Sequence, residues 1–201
     1  RDSRAAVVFE AWLHHFERKL FRDGLRDPLF ERMNGRFHPL LIKNVLEMPE
    51  QGRIWCDDVR SSPQESCKEL MLEALGEALE FLKNELGENE NDWTRGQLHQ
   101  TQNPHNPFSQ VPYLKFLFHR SIENGGDKYT LNVASHKVAD PFAQTHHPSL
   151  RMLLDLKDWN RQRVILGTEQ SGHLLSHHYD DMMKPHRDGQ YLDVSFGNPE
   201  M

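Results

Sequence analysis

The chain has 201 residues, 37% hydrophobic content and a formal net charge of −6, with 24 basic residues interspersed among 30 acidic ones. No basic stripe runs along any candidate helix, which argues against nucleic acid as a partner, and no apolar run approaches the roughly 20 residues that span a bilayer. The length suffices for one sizeable core or two small ones, while a mean hydropathy of −0.76 is low for a compact globule, so either much of the surface is polar or the chain normally buries itself against something else.

In chain order, Ala5, Phe9, Trp12, Leu13, Phe16 and Leu20 recur at three- and four-residue spacing, which predicts a helix from about Ser3 to Arg22. Gly24 and Pro28 close it. A broken helical stretch follows with Phe30, Met33 and Phe37, then Pro39 opens a segment carrying Leu40, Leu41, Val45 and Leu46 that Pro49 and Gly52 are expected to stop. The best-specified start is Ser62-Pro63-Gln64-Glu65, where Ser62 can cap, Pro63 suits the first helical position and Glu65 can complete a capping box. The helix it opens has an apolar face of Cys67, Leu70, Met71, Ala74, Leu75, Ala78, Leu82 and Leu86, with Gly87 placed to end it in a left-handed conformation.

From Glu88 to Pro112 the composition turns to Asn, Pro, Gly and His, and a long irregular segment is expected, followed by a short aromatic run at Tyr113, Phe116 and Phe118. After the turn Asn124-Gly125-Gly126-Asp127, alternating Tyr129, Leu131 and Val133 predict a half-buried strand with Asn132 at its centre. Leu150 to Leu156 is nearly continuous apolar, as in a strand covered on both faces, and Val164-Ile165-Leu166 and Leu192, Val194, Phe196 supply two more strands. Helices first and strands afterwards give an α+β fold, with a helical segment over 1–87 and a long loop plus mainly antiparallel strands over 88–201.

Cys56 and Cys67 enclose a short loop. They are either a bridge, which constrains the unfolded chain by roughly 3 kcal/mol, or two free thiols in a reducing compartment; their spacing is not that of a zinc site. The densest histidine group is His173, His177 and His178, followed by Asp180 and Asp181. It lacks the glutamate that zinc proteases place after the first histidine, and hydrogen-bonding histidines in a polar turn are the plainer reading. His14-His15 and His146-His147 look more ordinary still. Ser171 sits in Glu-Gln-Ser-Gly, one residue short of a nucleophile elbow, so a tight turn with Gly172 supplying unusual backbone angles is expected there. The carboxylate pairs Asp57-Asp58 and Glu88-Glu90 fall where solvated loops are expected and are weak candidates for general acid and base.

Two stretches carry a family likeness. In the first, Ser3-Arg4-Ala5-Ala6 leads a helix with Trp12, then come Trp55-Cys56-Asp57-Asp58, Cys67, and Trp93-Thr94-Arg95-Gly96-Gln97-Leu98-His99. In the second, Asn132-Val133, Ser149-Leu150-Arg151, Gln170-Ser171-Gly172 and Ser176-His177-His178-Tyr179-Asp180-Asp181 follow in order, ending at Gly189-Gln190-Tyr191. This order resembles the carboxy-terminal part of the penicillin acylase family of N-terminal nucleophile hydrolases. Arg95 stands where that family usually has an aromatic, and Met182 where it usually has glutamine.

The resemblance implies a parent enzyme cut autocatalytically into two chains, in which a newly exposed N-terminal serine attacks an amide and its own α-amino group is the base. Nucleophile and oxyanion asparagine then lie upstream, so no catalytic residue is assigned here. The chain is expected to be inactive alone and to complete one sheet of an α-β-β-α sandwich. Cys56 and Cys67 resemble a cysteine pair of one branch of the family, which implies a disulfide and a periplasmic or extracellular enzyme. Asn132 is the one residue singled out for a polar role near the active site. The implied partners are the remaining segments of the parent acylase and a small N-acyl substrate, with no cofactor and no metal; exposed strand edges would favour self-association of the isolated chain. A self-standing binding or scaffold domain and a histidine-bound metal protein are the alternatives from other classes.

Overall fold

The computed structural model describes residues 1–25, 27–33, 37–137, 140–168 and 170–195. It forms two compact units, one of residues 2–97 with 137–141, the other of Arg1, 98–136 and 142 onward. The architecture is α+β, with helices dominating the first half and antiparallel pairing dominating the sheets of the second.

In the first unit, helix α1 (Arg4–Phe21) packs on α5 (Cys67–Leu86), with α2 (Asp27–Met33), α3 (Pro39–Glu47) and α4 (Pro49–Cys56) between them in sequence. The Ser3 hydroxyl accepts a hydrogen bond from Ala6 N at 3.2 Å and caps α1. The buried stripe of α1 is Val7, Ala11, Phe16, Leu20 and Phe21, rotated from the expected one, and Phe9 is 55% exposed. Small residues decide this: Ala11, Ala74 and Ala78 are fully buried, so the two helices approach along an alanine seam and the bulkier Phe9 is left at its margin. Trp12 remains at that margin too, its indole N–H donating to Met71 O at 3.0 Å, and Lys19 reaches Glu73 and Glu77 at 3.2 and 2.8 Å.

Helix α3 ends at Glu47, just before Pro49, as expected, but Gly52 is no stop and lies inside the next helix. Pro49 opens α4, where its fixed φ and missing N–H cost nothing, and a Cβ at Gly52 would lie 1.9 Å from Val45 O, so glycine is what lets α4 approach α3. Helix α5 starts four residues later than Ser62 suggests. Its capping box is Ser66 with Glu69, Ser66 Oγ accepting from Glu69 N at 3.3 Å and Glu69 Oε2 accepting from Ser66 N at 2.8 Å. Glu65 is instead engaged in the preceding loop, where its carboxylate accepts from Asp58 N at 3.2 Å. The Cys56–Cys67 disulfide, with Cα atoms 4.8 Å apart, ties the last residue of α4 to the first of α5. Gly87 ends α5 with φ +93° but ψ 172°, a glycine-only conformation rather than the left-handed helical one expected. The unit's core gathers Phe16, Phe21, Phe30, Phe37, Ile42 and Leu70, with Phe21 and Phe37 stacked at 4.1 Å.

The 88–112 stretch is more structured than its composition indicates. It holds a helical turn at Glu90–Asp92, helix α6 (Arg95–Leu98), strand β1 (Gln100–Asn103) and a second turn at Phe108–Gln110; Pro112 opens helix α7 (Pro112–Phe118). Strands β2 (Arg120–Glu123), β3 (Ser135–Lys137) and β4 (Asp140–His146) join β1 in a sheet of order β2-β1-β4-β3, antiparallel between β1 and β2 and parallel between β1 and β4. A second, antiparallel sheet has the order β5-β6-β7, from β5 (Leu150–Leu153), β6 (Gln162–Leu166) and β7 (Leu192–Val194), with the short helix α8 (Met183–Arg187) before β7.

One strand expectation fails and another holds only in part. Residues 129–133 form a turn, because Asp127 Oδ1 accepts from Tyr129 N at 2.5 Å and Thr130 Oγ1 accepts from Asp127 N at 2.8 Å; these local bonds outcompete the alternating pattern. The run from Leu150 is not covered on both faces: β5 ends at Leu153, and Leu154 and Leu156 are 61% and 80% exposed. Phe196 lies outside the described residues.

Candidate functional site

A chain of polar side chains runs through the second unit. It begins where β1 and β4 pair in register at Thr101 and Gln144, so both side chains emerge on one face and Thr101 Oγ1 bonds Gln144 Oε1. Asn124, directly after β2, donates from Nδ2 to Thr101 Oγ1 at 2.8 Å and to Gln144 Oε1 at 2.9 Å. All three are nearly or fully buried, and each polar group so placed needs a partner.

Asn132 continues the chain. Its Nδ2 donates to Asn124 Oδ1 at 3.2 Å and to Gly125 O at 2.9 Å, and its Oδ1 accepts from Arg151 Nη2. The turn that wraps it requires Gly126, whose φ is +83° and whose Cβ would meet Asn132 O at 1.9 Å. The other terminal nitrogen of Arg151 donates to His186 O at 2.8 Å. His186 Nε2 donates to Pro148 O at 3.0 Å, and the same carbonyl takes His147 Nδ1 at 3.2 Å. A Cβ at Gly167 would come within 2.7 Å of His147 Cε1, so this glycine makes room for the imidazole.

The electrostatics follow from burial beside a cation. Burial holds the His186 imidazole well below its ordinary range, at about 4, and the nearby positive charge of Arg151 pushes in the same direction, as does His147 whenever it is protonated. Burial likewise lowers His147. A neutral His147 that donates through Nδ1 has Nε2 free to accept, and the Asn103 carboxamide lies 3.1 Å from it; turning its amide nitrogen toward His147 supplies the matching donor and gives that nitrogen a partner. The result is one guanidinium held among neutral acceptors, suited to fixing loops in place rather than moving protons.

Asn132, singled out from sequence, lies in this polar chain; the other candidates considered fall elsewhere. Ser171 Oγ accepts from His173 N at 3.2 Å in a turn, and Gly172 has no positive φ, contrary to expectation. His173, His177 and His178 occupy turns rather than a helix. His178 Nδ1 lies 2.7 Å from Asp181 Oδ2, but the nearby Ser176 hydroxyl accepts from the His178 backbone N–H at 3.2 Å, so the trio is turn chemistry and not a nucleophile–base pair. Among the described residues no group of three or more His, Cys, Asp or Glu is disposed to hold a metal ion. Asp58 is held ionised, at about 2, by side-chain and backbone hydrogen bonds from Arg60, which unfits it as a general acid. Arg95, the residue that departs from the family pattern, is buried and paired through Nε with Glu10 Oε1 at 2.6 Å. Trp93 of the same motif donates its indole N–H to Gly87 O at 2.8 Å, and His99 Nδ1 meets Phe142 O at 2.8 Å.

The penicillin amidase family model matches residues 1–201. The chain belongs to the penicillin amidase family. Within that family it is similar to acyl-homoserine lactone acylase QuiP of Pseudomonas syringae pv. tomato, 30% identical over 96% of this chain and 24% of the relative. It is also similar to the QuiP acylases of Pseudomonas fluorescens strain Pf0-1, at 26% over 96% of this chain and 23% of the relative, and of Pseudomonas syringae pv. syringae, at 29% over 96% and 24%. The chain thus spans about a quarter of the length of the curated relatives it matches. Family members of this kind are N-acyl amide hydrolases. Thr101, Gln144 and His186 escaped the reading of the sequence, which placed Asn124 in a turn and took His147 as ordinary; Arg151 interrupts an apolar run, a signal that could have marked it.

Proposed function

We propose that the chain is the carboxy-terminal part of a penicillin acylase-like enzyme that hydrolyses the amide of an N-acyl compound. Acyl-homoserine lactones are the leading substrate class, with β-lactam side chains and related N-acyl compounds as the wider range. The observation that carries this is the match of nearly the whole chain to a quarter of acylases that are themselves named for acyl-homoserine lactones. In this reading the nucleophile is the N-terminal serine of a processed chain, outside these residues. Its α-amino group takes the hydroxyl proton as the hydroxyl attacks the acyl carbon, the amine leaves with that proton, and water then releases the acid from the acyl-enzyme. Backbone and asparagine donors, also upstream, hold the oxyanion.

Ser3 fits no such role, since its hydroxyl is engaged in capping α1. The chain's contribution is support. Asn132, bonded to Asn124, Gly125 and Arg151, acts as a positioning residue near the parent's active site. A periplasmic or extracellular location is supported by the disulfide, and among the described residues no helix is long and apolar enough to cross a membrane. The test is amine release from an acyl-homoserine lactone, measured for the whole gene product and for these 201 residues alone. Release by the first and none by the second is expected; release by the isolated chain contradicts the proposal.

A further inference from the structure

Asn124 is followed by Gly125 on the turn that leaves β2. An asparagine carboxamide can close onto the backbone nitrogen of the next residue, and a glycine there puts no Cβ in the way. The Gly125 N–H donates to Asn124 Oδ1 at 2.8 Å, so the nitrogen that would attack already rests against the carboxamide. The turn itself does not call for this glycine. Gly126 has φ +83° and its Cβ would meet Asn132 O at 1.9 Å, whereas Gly125 has no positive φ and the nearest atom to its Cβ would be Arg1 N at 3.3 Å.

The carboxamide is surrounded as an acyl-transfer centre would be. Asn124 Oδ1 also accepts from Asn132 Nδ2 at 3.2 Å, a preset donor where negative charge builds up on attack. Asn124 Nδ2, the nitrogen that would leave, lies 2.8 Å from the Thr101 hydroxyl oxygen and 2.9 Å from Gln144 Oε1. With Asn124 only 2% exposed, these contacts meet little competition from water.

We infer that Asn124 is a self-modification site, converted to aspartate and isoaspartate through a cyclic imide with Gly125. The Gly125 nitrogen gives its proton to hydroxide and bonds Asn124 Cγ, while the carbonyl electron pair moves onto Oδ1 beside Asn132 Nδ2. As that pair returns, the Cγ–Nδ2 bond breaks. The nitrogen leaves as ammonia, taking a proton from the Thr101 hydroxyl, which water restores. Water then adds to either imide carbonyl and opens the ring to one acid or the other. The new carboxylate stands beside Asn132, whose Oδ1 accepts from Arg151 Nη2, so its charge lies one amide away from that guanidinium. The inference does not depend on the acylase reading.

The test is to incubate the folded, full-length protein in heavy-oxygen water at mildly alkaline pH and to follow the peptide carrying Asn124 by mass spectrometry with isoaspartate detection. Both acids should appear with one heavy oxygen each, about tenfold faster than in the same protein unfolded in guanidinium. Thr101→Val removes the hydroxyl proton and should slow the folded-state reaction by about tenfold or more. Conversion slower in the folded than in the unfolded protein, aspartate without isoaspartate, or a folded Thr101→Val variant that reacts as fast as the native sequence would each overturn the inference. If the variant fails to fold, its rate matches the guanidinium sample, and the folded and unfolded native sequence decide the matter by themselves.

Discussion

Arg151 ties Asn132 to His186, bonding the Asn132 side-chain oxygen through one terminal nitrogen and the His186 carbonyl through the other. Three segments distant in sequence, around the 124–132 turn, the start of β5 and helix α8, are thereby held by one guanidinium. A planar fork of donors does this better than a point charge.

Replacing Arg151 with Lys keeps the charge but cannot serve both acceptors at once, and we expect a loss of about 2 kcal/mol in unfolding free energy. Asn132→Asp should cost a similar amount for a different reason. Its carboxylate still accepts from Arg151 but turns an acceptor toward Asn124 Oδ1 and Gly125 O, which now receive hydrogen bonds. Urea titration of the protein and both variants at neutral pH measures each loss.

His186 makes stability fall on mild acidification. Its folded value of about 4 lies below the ordinary 6.5, so the folded state resists protonation while the unfolded state accepts it. The group contributes no pH dependence above about 6.5; stability drops as pH falls from there to about 4 and levels below, by roughly 3 kcal/mol in total. His186→Gln, which can still donate to Pro148 O, should flatten the slope of unfolding free energy between pH 7 and 4 relative to the native protein. An unchanged slope would remove His186 from this role.

The disulfide closes a loop of sequence separation 11, for which chain entropy gives about 3 kcal/mol. Reduction, or paired Cys56→Ala and Cys67→Ala substitution, should lower the thermal midpoint by an amount matching that loss. Calorimetry with and without reductant reads it directly.

Two glycines should respond oppositely to alanine. Gly52→Ala places a methyl 1.9 Å from Val45 O and should destabilise by about 3 kcal/mol through forced separation of α3 and α4. Gly76 sits inside α5 with nothing within 4 Å of an added Cβ, so Gly76→Ala should stabilise by about 0.5–1 kcal/mol. Denaturant midpoints of the two variants settle both signs.

The helices were legible because their faces repeat and their starts are chemically marked, yet even there local competition decided details. Ser62-x-x-Glu65 and Ser66-x-x-Glu69 are equally good capping boxes on paper; the disulfide at Cys67 and the use of Glu65 by the Asp58 amide select the second. Strand β1 is Gln-Thr-Gln-Asn and has no apolar alternation to detect; it forms against β2 and β4. The 129–133 stretch alternates well but follows Asp127, whose carboxylate captures the backbone. The polar chain from Thr101 to His147 was hidden for a related reason: apart from Arg151 its members are amides, a hydroxyl and histidines, ordinary one by one, which acquire meaning only when the fold brings them together.

In the proposed reading the nucleophile of the enzyme lies outside these residues. Treating the folded parent protein with a serine-directed sulfonyl fluoride until amide hydrolysis stops, then mapping the adduct by peptide mass spectrometry, tests it most directly. The account predicts a single stoichiometric adduct on a serine at the amino terminus of a processed chain, upstream of Arg1. An adduct on Ser171, Ser176 or any other residue of this chain, at a stoichiometry matching the loss of activity, would contradict it.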